Sequence, residues 1–553
     1  MRPSDPATGK VTGTGTDLGT DLGTDLGTGV ETARGARMQA AGWALAAWLV
    51  LLVAFAINGH PLFYFDTAGY FDIGMKMLHL LGLPPPEAVA QAGAAQAAAP
   101  DGNVVGSRSA LYALMTAIFL QGDALWGLVL VQAAALVLAL HLVCRLVAAQ
   151  MGAAQMGAGA AAWPMTAAAA LAGALGSAAF VTAYLMPDIF AAVLLLAIAG
   201  LAAFAPDLRS GGALALLALG SLSVVLHLSH LAIALMAVPG VALACLAFGA
   251  RRWWLSVLLV ALIAAIGLVE RRAFTVAVET TTREHVIYLP FFTARLIADG
   301  PGKAYLDATC PGTDGDGGAP AMATCRLNEV LLRPAQLMPD RILFATDPAF
   351  GSYALLSPED RRAISDEQRG FLQAVVISRP FEVIAAVLRN TAAQAGLVSI
   401  DMTLAGPAMA AQARGIYPGF PDSLTQGRLT QGRLTQGRLT QGRLTSGAWV
   451  APLTHLHEIY YALTGLALLA LLVLPHSRLP RRVRLFGVLV LLGIIANAFV
   501  TGAISQPANR YGARVIFLIP ALLALLLVAR SLAGPLAGPL AGPAPRPGNE
   551  ARP

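Results

Sequence analysis

The run Phe63-Tyr-Phe-Asp66-Thr-Ala-Gly-Tyr70-Phe-Asp72 sets an acid among aromatic rings about nine residues after a long apolar block. A carboxylate walled by rings loses water, which raises its pKa and suits it to take a proton from a hydroxyl as a general base. The rings alone also fit the aromatic belt found where a helix leaves a bilayer, but a belt does not require the acid. Asp188 follows Pro187 between two apolar runs, a pairing that equally opens a turn or helix. His227 and His230 are three apart and share one helical face. Two imidazoles are too few for a metal site, so a hydrogen-bonded pair is the plainer reading and phosphate binding the sharper one. Near the C-terminus, Gln506-Pro-Ala-Asn-Arg510-Tyr511 lies between the last two apolar runs, with Arg514 one turn later. Guanidinium groups suit bidentate phosphate recognition, and they also snorkel at helix ends.

Cys310 and Cys325 occupy a loop that also holds Pro, Gly and Asp, and a disulfide is expected if that loop faces an oxidising compartment. Two free thiols are the alternative. Cys144 and Cys245 lie in apolar runs and read as packing residues. No phosphate loop of the Gly-x-x-x-x-Gly-Lys-Ser/Thr kind occurs, which speaks against ATP-driven pumping within this chain. There is no His-Glu-x-x-His zinc motif and no Gly-x-Ser-x-Gly nucleophile elbow.

The elements that must position these residues are membrane helices. The chain has 553 residues, is 56% hydrophobic and is only 12% charged, with a mean hydropathy of +0.65. Soluble domains carry about 25% charged residues. Blocks such as Ala40–Ile57 and Leu485–Val500 are long enough to cross most of a bilayer core of about 30 Å. The formal charge of +6 does not indicate nucleic acid: Arg428, Arg433, Arg438 and Arg443 sit in four copies of Thr-Gln-Gly-Arg-Leu, and without them the balance is about +2. No basic stripe interleaved with aromatics occurs.

The reading is an all-α polytopic membrane protein with about ten spans, near 38–57, 126–147, 164–186, 189–205, 213–230, 231–249, 254–270, 458–475, 485–503 and 515–530. Arg34 and Arg37 precede the first span, which places the N-terminus in the cytoplasm. Arg145, Arg209, Arg251, Arg252 and the cluster Arg478–Arg484 then fall on that same side, as does the C-terminus. Arg271–Arg272 breaks the pattern, at the outer end of the seventh span. Domains follow: a repetitive, disordered tail over 1–37; a bundle over 38–270 with a first outer loop at 58–125; a largely helical outer domain over 271–457, with the repeat insertion at 425–444; C-terminal spans over 458–530; and a Pro/Gly-rich tail over 531–553. Within the outer domain, Ser357-Pro-Glu-Asp and Ser365-Asp-Glu-Gln are good helix starts. Pro380 opens another helix through Phe381, Ile384, Val387 and Leu388, expected to lie on the membrane surface or lean on the bundle. Asp66, Asp188, His230 and Arg510 all reach one outer compartment in this topology, which implies a shared outer cavity.

Asp66-Thr-Ala-Gly-Tyr70 resembles the Asp-Ser-x-x-Tyr element that follows the first span in GT-C membrane glycosyltransferases, relatives of the dolichyl-phosphate-mannose protein mannosyltransferases and the bacterial aminoarabinose transferases. Arg108-Ser-Ala-Leu-Tyr112 is similar to an Arg-x-x-x-Tyr stretch of that family. Asn509-Arg510-Tyr511 with Pro520 is similar to its closing Arg-Tyr-x-x-Pro segment, and Pro187-Asp188 fits looser relatives. The departures are Thr67 where many relatives carry Glu, no Pro after Arg108, and Gly512 and Ala513 in place of bulky apolar residues.

The resemblance implies transfer of a sugar from a polyprenyl-phosphate carrier to a lipid, glycan or protein acceptor on the outer face. Asp66 is then the catalytic acidic residue, deprotonating the acceptor hydroxyl or orienting it. Arg510 helps hold the lipid phosphate, Tyr70 supports the first loop, and Tyr70, Arg108, Asp188, His230 and Tyr511 are read as further substrate-binding residues. A divalent metal is used by some relatives only, and no metal ligands are assigned here. The alternatives are a transporter or flippase for a lipid-linked or anionic solute, and a non-catalytic scaffold. The Ala-, Gly- and Leu-rich composition suits a GC-rich bacterial genome, hence a bacterial plasma membrane, with an endoplasmic-reticulum membrane as the alternative.

Overall fold

The computed structural model describes residues 21–83, 102–152, 158–208, 210–310, 322–331, 337–404 and 447–533, with a few positions between 411 and 439. The C-terminal tail from 534 and nearly all of the repeat insertion at 425–444 lie outside the described residues. The described residues are mostly helical. Among the described residues seven helices are long and apolar enough to cross a membrane: Leu125–Gln150, Ile189–Asp207, Leu228–Ala247, Trp253–Thr282, Val450–Val473, Arg481–Ile504 and Asn509–Leu532. An eighth is added if Pro358–Ser378 and Pro380–Gly396, bent by 108° at their junction, count as one span. These helices mark an integral membrane protein.

The other three expected spans are shorter or broken. The first apolar block is split at Leu52 between the helices Asp21–Leu51 and Val53–Asn58. The first of these starts at Asp21, inside the tail expected to be disordered. The third block is split into Ala158–Ala174 and Ala178–Ala183. At that break the Ser177 backbone N–H donates to the Tyr461 hydroxyl at 2.8 Å, and Ser177 Oγ donates to the Ala513 carbonyl at 2.6 Å. Neighbouring helices thus satisfy polar groups that a broken helix frees, as apolar surroundings demand. The fifth block is Ser210–Leu226, which stops where His227 turns extended and caps the next helix.

Ile189–Phe204 is the central helix, and every one of its residues is buried. Leu125–Gln150, Ser210–Leu226, Trp253–Thr282 and Arg481–Ile504 pack around it. On the rim, Leu258, Leu262 and Leu268 of one helix and Leu463, Leu466 and Leu469 of another are exposed. Rows of exposed leucine are a liability in water and the normal solvated face in hydrocarbon. At one end of the bundle Asp207 accepts from Gln150 at 2.8 Å and pairs with Arg482, while Arg481 lies against Gly249. The opposite end carries the groups described below.

A second hydrophobic core, separate from that of the bundle, lies in residues 289–387. It is built from Leu296, Ile297, Leu306, Leu327, Ile342, Phe371 and their neighbours. Cys310 and Cys325 are bonded there, joining the end of Pro301–Thr309 to the start of Thr324–Val330 with Cα atoms 5.5 Å apart. Free Cys144 and Cys245 are buried. Asn103–Val105 pairs in parallel with His285–Ile287, so the first outer segment is stitched to the second. The helix Pro380–Gly396 leans on the bundle: Gln394 donates to the Ala508 carbonyl at 3.1 Å and accepts from its N–H at 2.9 Å. Its other side leaves Phe381, Ile384 and Leu388 exposed.

Candidate active site

Asp66 sits in the first turn of the helix Phe65–Leu80, where a carboxylate also complements the helix dipole. Its position is fixed by backbone strapping. Leu62 bridges the segment at Tyr184: its N–H donates to the Ala183 carbonyl at 2.8 Å, and its carbonyl accepts from Leu185 N–H at 2.6 Å. Thr67 Oγ1 accepts from Tyr64 N–H at 3.0 Å and donates to the Leu185 carbonyl at 3.1 Å. The Asp66 turn is therefore tied to the chain that leads into the central helix. Gln132 holds the other side of that chain, donating to the carbonyls of Thr182 and Tyr184 while accepting from Tyr112.

Each oxygen of Asp66 takes one guanidinium. Arg108 Nη2 donates to Oδ1 at 3.0 Å, and Arg510 Nη1 donates to Oδ2 at 2.9 Å. The three residues come from positions 66, 108 and 510 and meet at the open end of the bundle. Asp66 and Arg108 are about a quarter exposed (25% and 26%), and Arg510 only 6%. Gly69 makes room for Arg108: a Cβ there would stand 2.7 Å from the guanidinium carbon. Arg510 lies 5.0 Å over the Tyr64 ring and 4.8 Å over the Tyr511 ring, cation–π contacts that fix its plane. Gly512 permits this helix to approach the chain closely, since a Cβ there would fall 1.9 Å from the Leu397 carbonyl oxygen.

This geometry reverses the basicity expected for Asp66. Burial among the rings does push its carboxyl up, but Arg108 and then Arg510 outweigh it and hold the group at about 2, below its ordinary 3.8. Two cations on one carboxylate also leave the cluster with a surplus positive charge. The donor set does not suit a divalent cation, which would have to displace a guanidinium from either oxygen of Asp66 and sit beside both. Among the described residues no three His, Cys, Asp or Glu side chains gather as metal ligands.

The other expected site residues are dispersed. Tyr70 is 2% exposed and packs edge-on against Tyr112 with ring centres 5.0 Å apart, so it supports the Asp66 helix from behind. Tyr511 is sandwiched between Arg510 and Arg514, at 4.8 and 5.0 Å. Asp188 is 1% exposed and bonds to Arg514, not to the Asp66 cluster; Oδ1 accepts from Arg514 Nη1 at 3.1 Å. Arg514 also donates to Asn497 Oδ1 and to Ser229 Oγ. His230 is fully buried, with Nδ1 2.8 Å from the Ser223 carbonyl and its ring 5.1 Å from that of His227. His227, not His230, borders a cavity beside Arg108. Sequence reasoning passed over Asn497 and Gln132, although an amide inside an apolar span is a signal of a polar interior contact. Asp72 forms a solvated pair with Lys76 at 2.9 Å, away from the cluster.

Compared with known proteins, the chain matches no family model, no curated protein and no solved structure.

Proposed function

We propose that this protein is a GT-C-like membrane glycosyltransferase that moves a sugar from a polyprenyl-phosphate carrier to a lipid, glycan or protein acceptor. The observation that carries the reading is the meeting of Asp66, Arg108 and Arg510 at one open end of the bundle. These are the same positions on which the family resemblance rests, Arg108 lying 42 residues and Arg510 lying 444 residues from Asp66 in the chain. In this reading the acceptor oxygen bonds to the anomeric carbon as the bond from that carbon to the phosphate oxygen breaks. The acceptor proton passes to Asp66, and the electron pair leaves on the carrier phosphate, with inversion at carbon. A carboxylate held near 2 is a weak base while both arginines grip it. A phosphate that draws one guanidinium away would return basicity to Asp66 at the moment it is needed, so donor binding and base strength are coupled.

The topology belongs to the same proposal. The broken and short apolar helices complete ten crossings, the end holding Asp207 and Arg482 faces the cytoplasm with both termini, and residues 271–457 stand outside a bacterial plasma membrane. The disulfide supports an oxidising compartment for that domain. The exposed face of Pro380–Gly396 supports contact with lipid, since Phe381, Ile384 and Leu388 would otherwise sit in water.

The test offers radiolabelled polyprenyl-phosphate sugars and a membrane extract to purified wild type and Asp66→Asn in detergent. Labelled product from wild type and none from a folded Asp66→Asn supports the reading. No product from any donor sinks it, and solute movement across proteoliposomes in that case would establish the transporter.

A further inference from the structure

Arg271 is a charge that the cluster around Asp66 does not use. It follows the apolar part of the helix Trp253–Thr282, at the end where the pattern of basic residues breaks. Its guanidinium lies 4.2 Å over the Tyr288 ring, and Nη2 donates to the Gly106 carbonyl at 3.3 Å. Among the described residues no carboxylate is paired with it. It borders a small cleft with about 20 Å³ of free volume, part of it open to solvent, whose wall also includes Ser107, Arg108, Ser109, His227 and Glu270.

The wall is rich in hydrogen-bond donors. His227 Nδ1 accepts from the Ser229 N–H at 3.1 Å, which in a neutral ring leaves the proton on Nε2. That nitrogen has no hydrogen-bond partner among the described residues. Ser107 Oγ accepts from Leu289 N–H at 2.9 Å, and Ser109 Oγ accepts from Tyr112 N–H at 3.1 Å. Both hydroxyl protons are thereby left to donate elsewhere. Two guanidiniums, one imidazole N–H and two hydroxyls thus stand against a single acid, Glu270. Several donors converging from different helices suit the oxygens of a phosphate group, and the guanidiniums supply the charge-assisted bonds.

We infer that this cavity is an anion site for a phosphate ester, held chiefly by Arg271 and His227, with Arg108 shared between the bound anion and Asp66. The inference rests on the transferase reading for one point only, that the occupant is the charged group of the donor. It also moves that role away from Arg510, which is nearly sealed and already committed to Asp66.

Isothermal titration calorimetry on the purified full-length protein tests it, with inorganic phosphate and geranyl phosphate as probes. Binding to wild type that weakens about tenfold or more in Arg271→Ala, and is largely kept in Arg271→Lys, is the expected result. Glu270→Gln should tighten binding severalfold by removing the opposing charge, and this arm needs no loss of structure to be read. Preference for geranyl phosphate identifies a lipid headgroup as the source, and equal binding identifies a free anion; either supports the site. No binding of either probe, or equal binding by wild type and Arg271→Ala, overturns it. Binding without any sugar transfer would keep the site and remove the transferase reading. Transfer with a donor KM unmoved in Arg271→Ala would do the reverse.

Discussion

Asp66 and Asp188 each accept from an arginine of the same short helix, Arg510 and Arg514, which stand four residues apart. The two pairs then diverge. Asp66 is 25% exposed, shares two guanidiniums and sits at the open end of the bundle. Asp188 and Arg514 are 1% and 0% exposed, and the spare capacity of Arg514 goes to Asn497 and Ser229. A sealed pair gains strong attraction but bears the full loss of hydration, so its net stabilisation is small while its rupture is costly. It can fix the register of the central helix against the last span. An accessible cluster with surplus positive charge can instead exchange partners with a substrate. Access, more than residue type, separates the two pairs.

The sharpest way to break this comparison is to cut the sealed pair. Arg514→Ala leaves Asp188 buried without its cation and should cost about 3–5 kcal/mol, read as a large drop in Tm in detergent. The double variant Asp188→Leu/Arg514→Met should recover to within about 1 kcal/mol of wild type, because apolar replacements of similar size remove both desolvation costs.

At the open cluster the loss should fall on activity. Asp66→Asn should lower transfer by about 10²–10⁴-fold, the range for a general base, while costing about 1 kcal/mol or less in stability. Gly69→Ala should displace Arg108 without touching Asp66 and slow transfer by about tenfold to a hundredfold, with donor KM and kcat both affected.

The smallest effect is a shift along the pH axis. Because the Asp66 carboxyl sits at about 2 against an ordinary 3.8, its contribution to stability is present above the ordinary value and lost as pH falls through about 2. Arg108→Gln removes the stronger of its two cations, so the folded carboxyl should protonate at higher pH, and the stability it contributes should be smaller and fully lost at a higher pH than in wild type. Unfolding followed between pH 2 and pH 6 in wild type and Arg108→Gln checks the sign; an unmoved acid limb would show that Arg108 does not govern the carboxyl.

Much of the fold was legible in the sequence, because an apolar block of span length has few other places to go. Helix breaks were not. Leu52 interrupts an apolar run whose composition does not change, and the groups that heal the break at Ser177 come from Tyr461 and Ala513, hundreds of residues away. At the site, the acid among aromatics at Asp66 and the arginine at 510 were visible by type and position. Their pairing was not, and with it went the sign of the pKa shift: the rings suggested a raised value, and two distant guanidiniums produce a lowered one. Asp188 and His230 were placed on the outer side by topology, which fixes an end of the bundle but not whether a side chain faces a cavity or a neighbouring helix.

The central claim is that the open cluster does the chemistry and the sealed pair holds the frame. The most direct measurement compares sugar transfer and Tm, in one preparation, for wild type, Asp66→Asn and the double variant Asp188→Leu/Arg514→Met. The account predicts that Asp66→Asn is folded and inactive, while the double variant is folded and keeps transfer to within about tenfold of wild type. Transfer by Asp66→Asn at the wild-type rate, or a folded double variant without transfer, would contradict it.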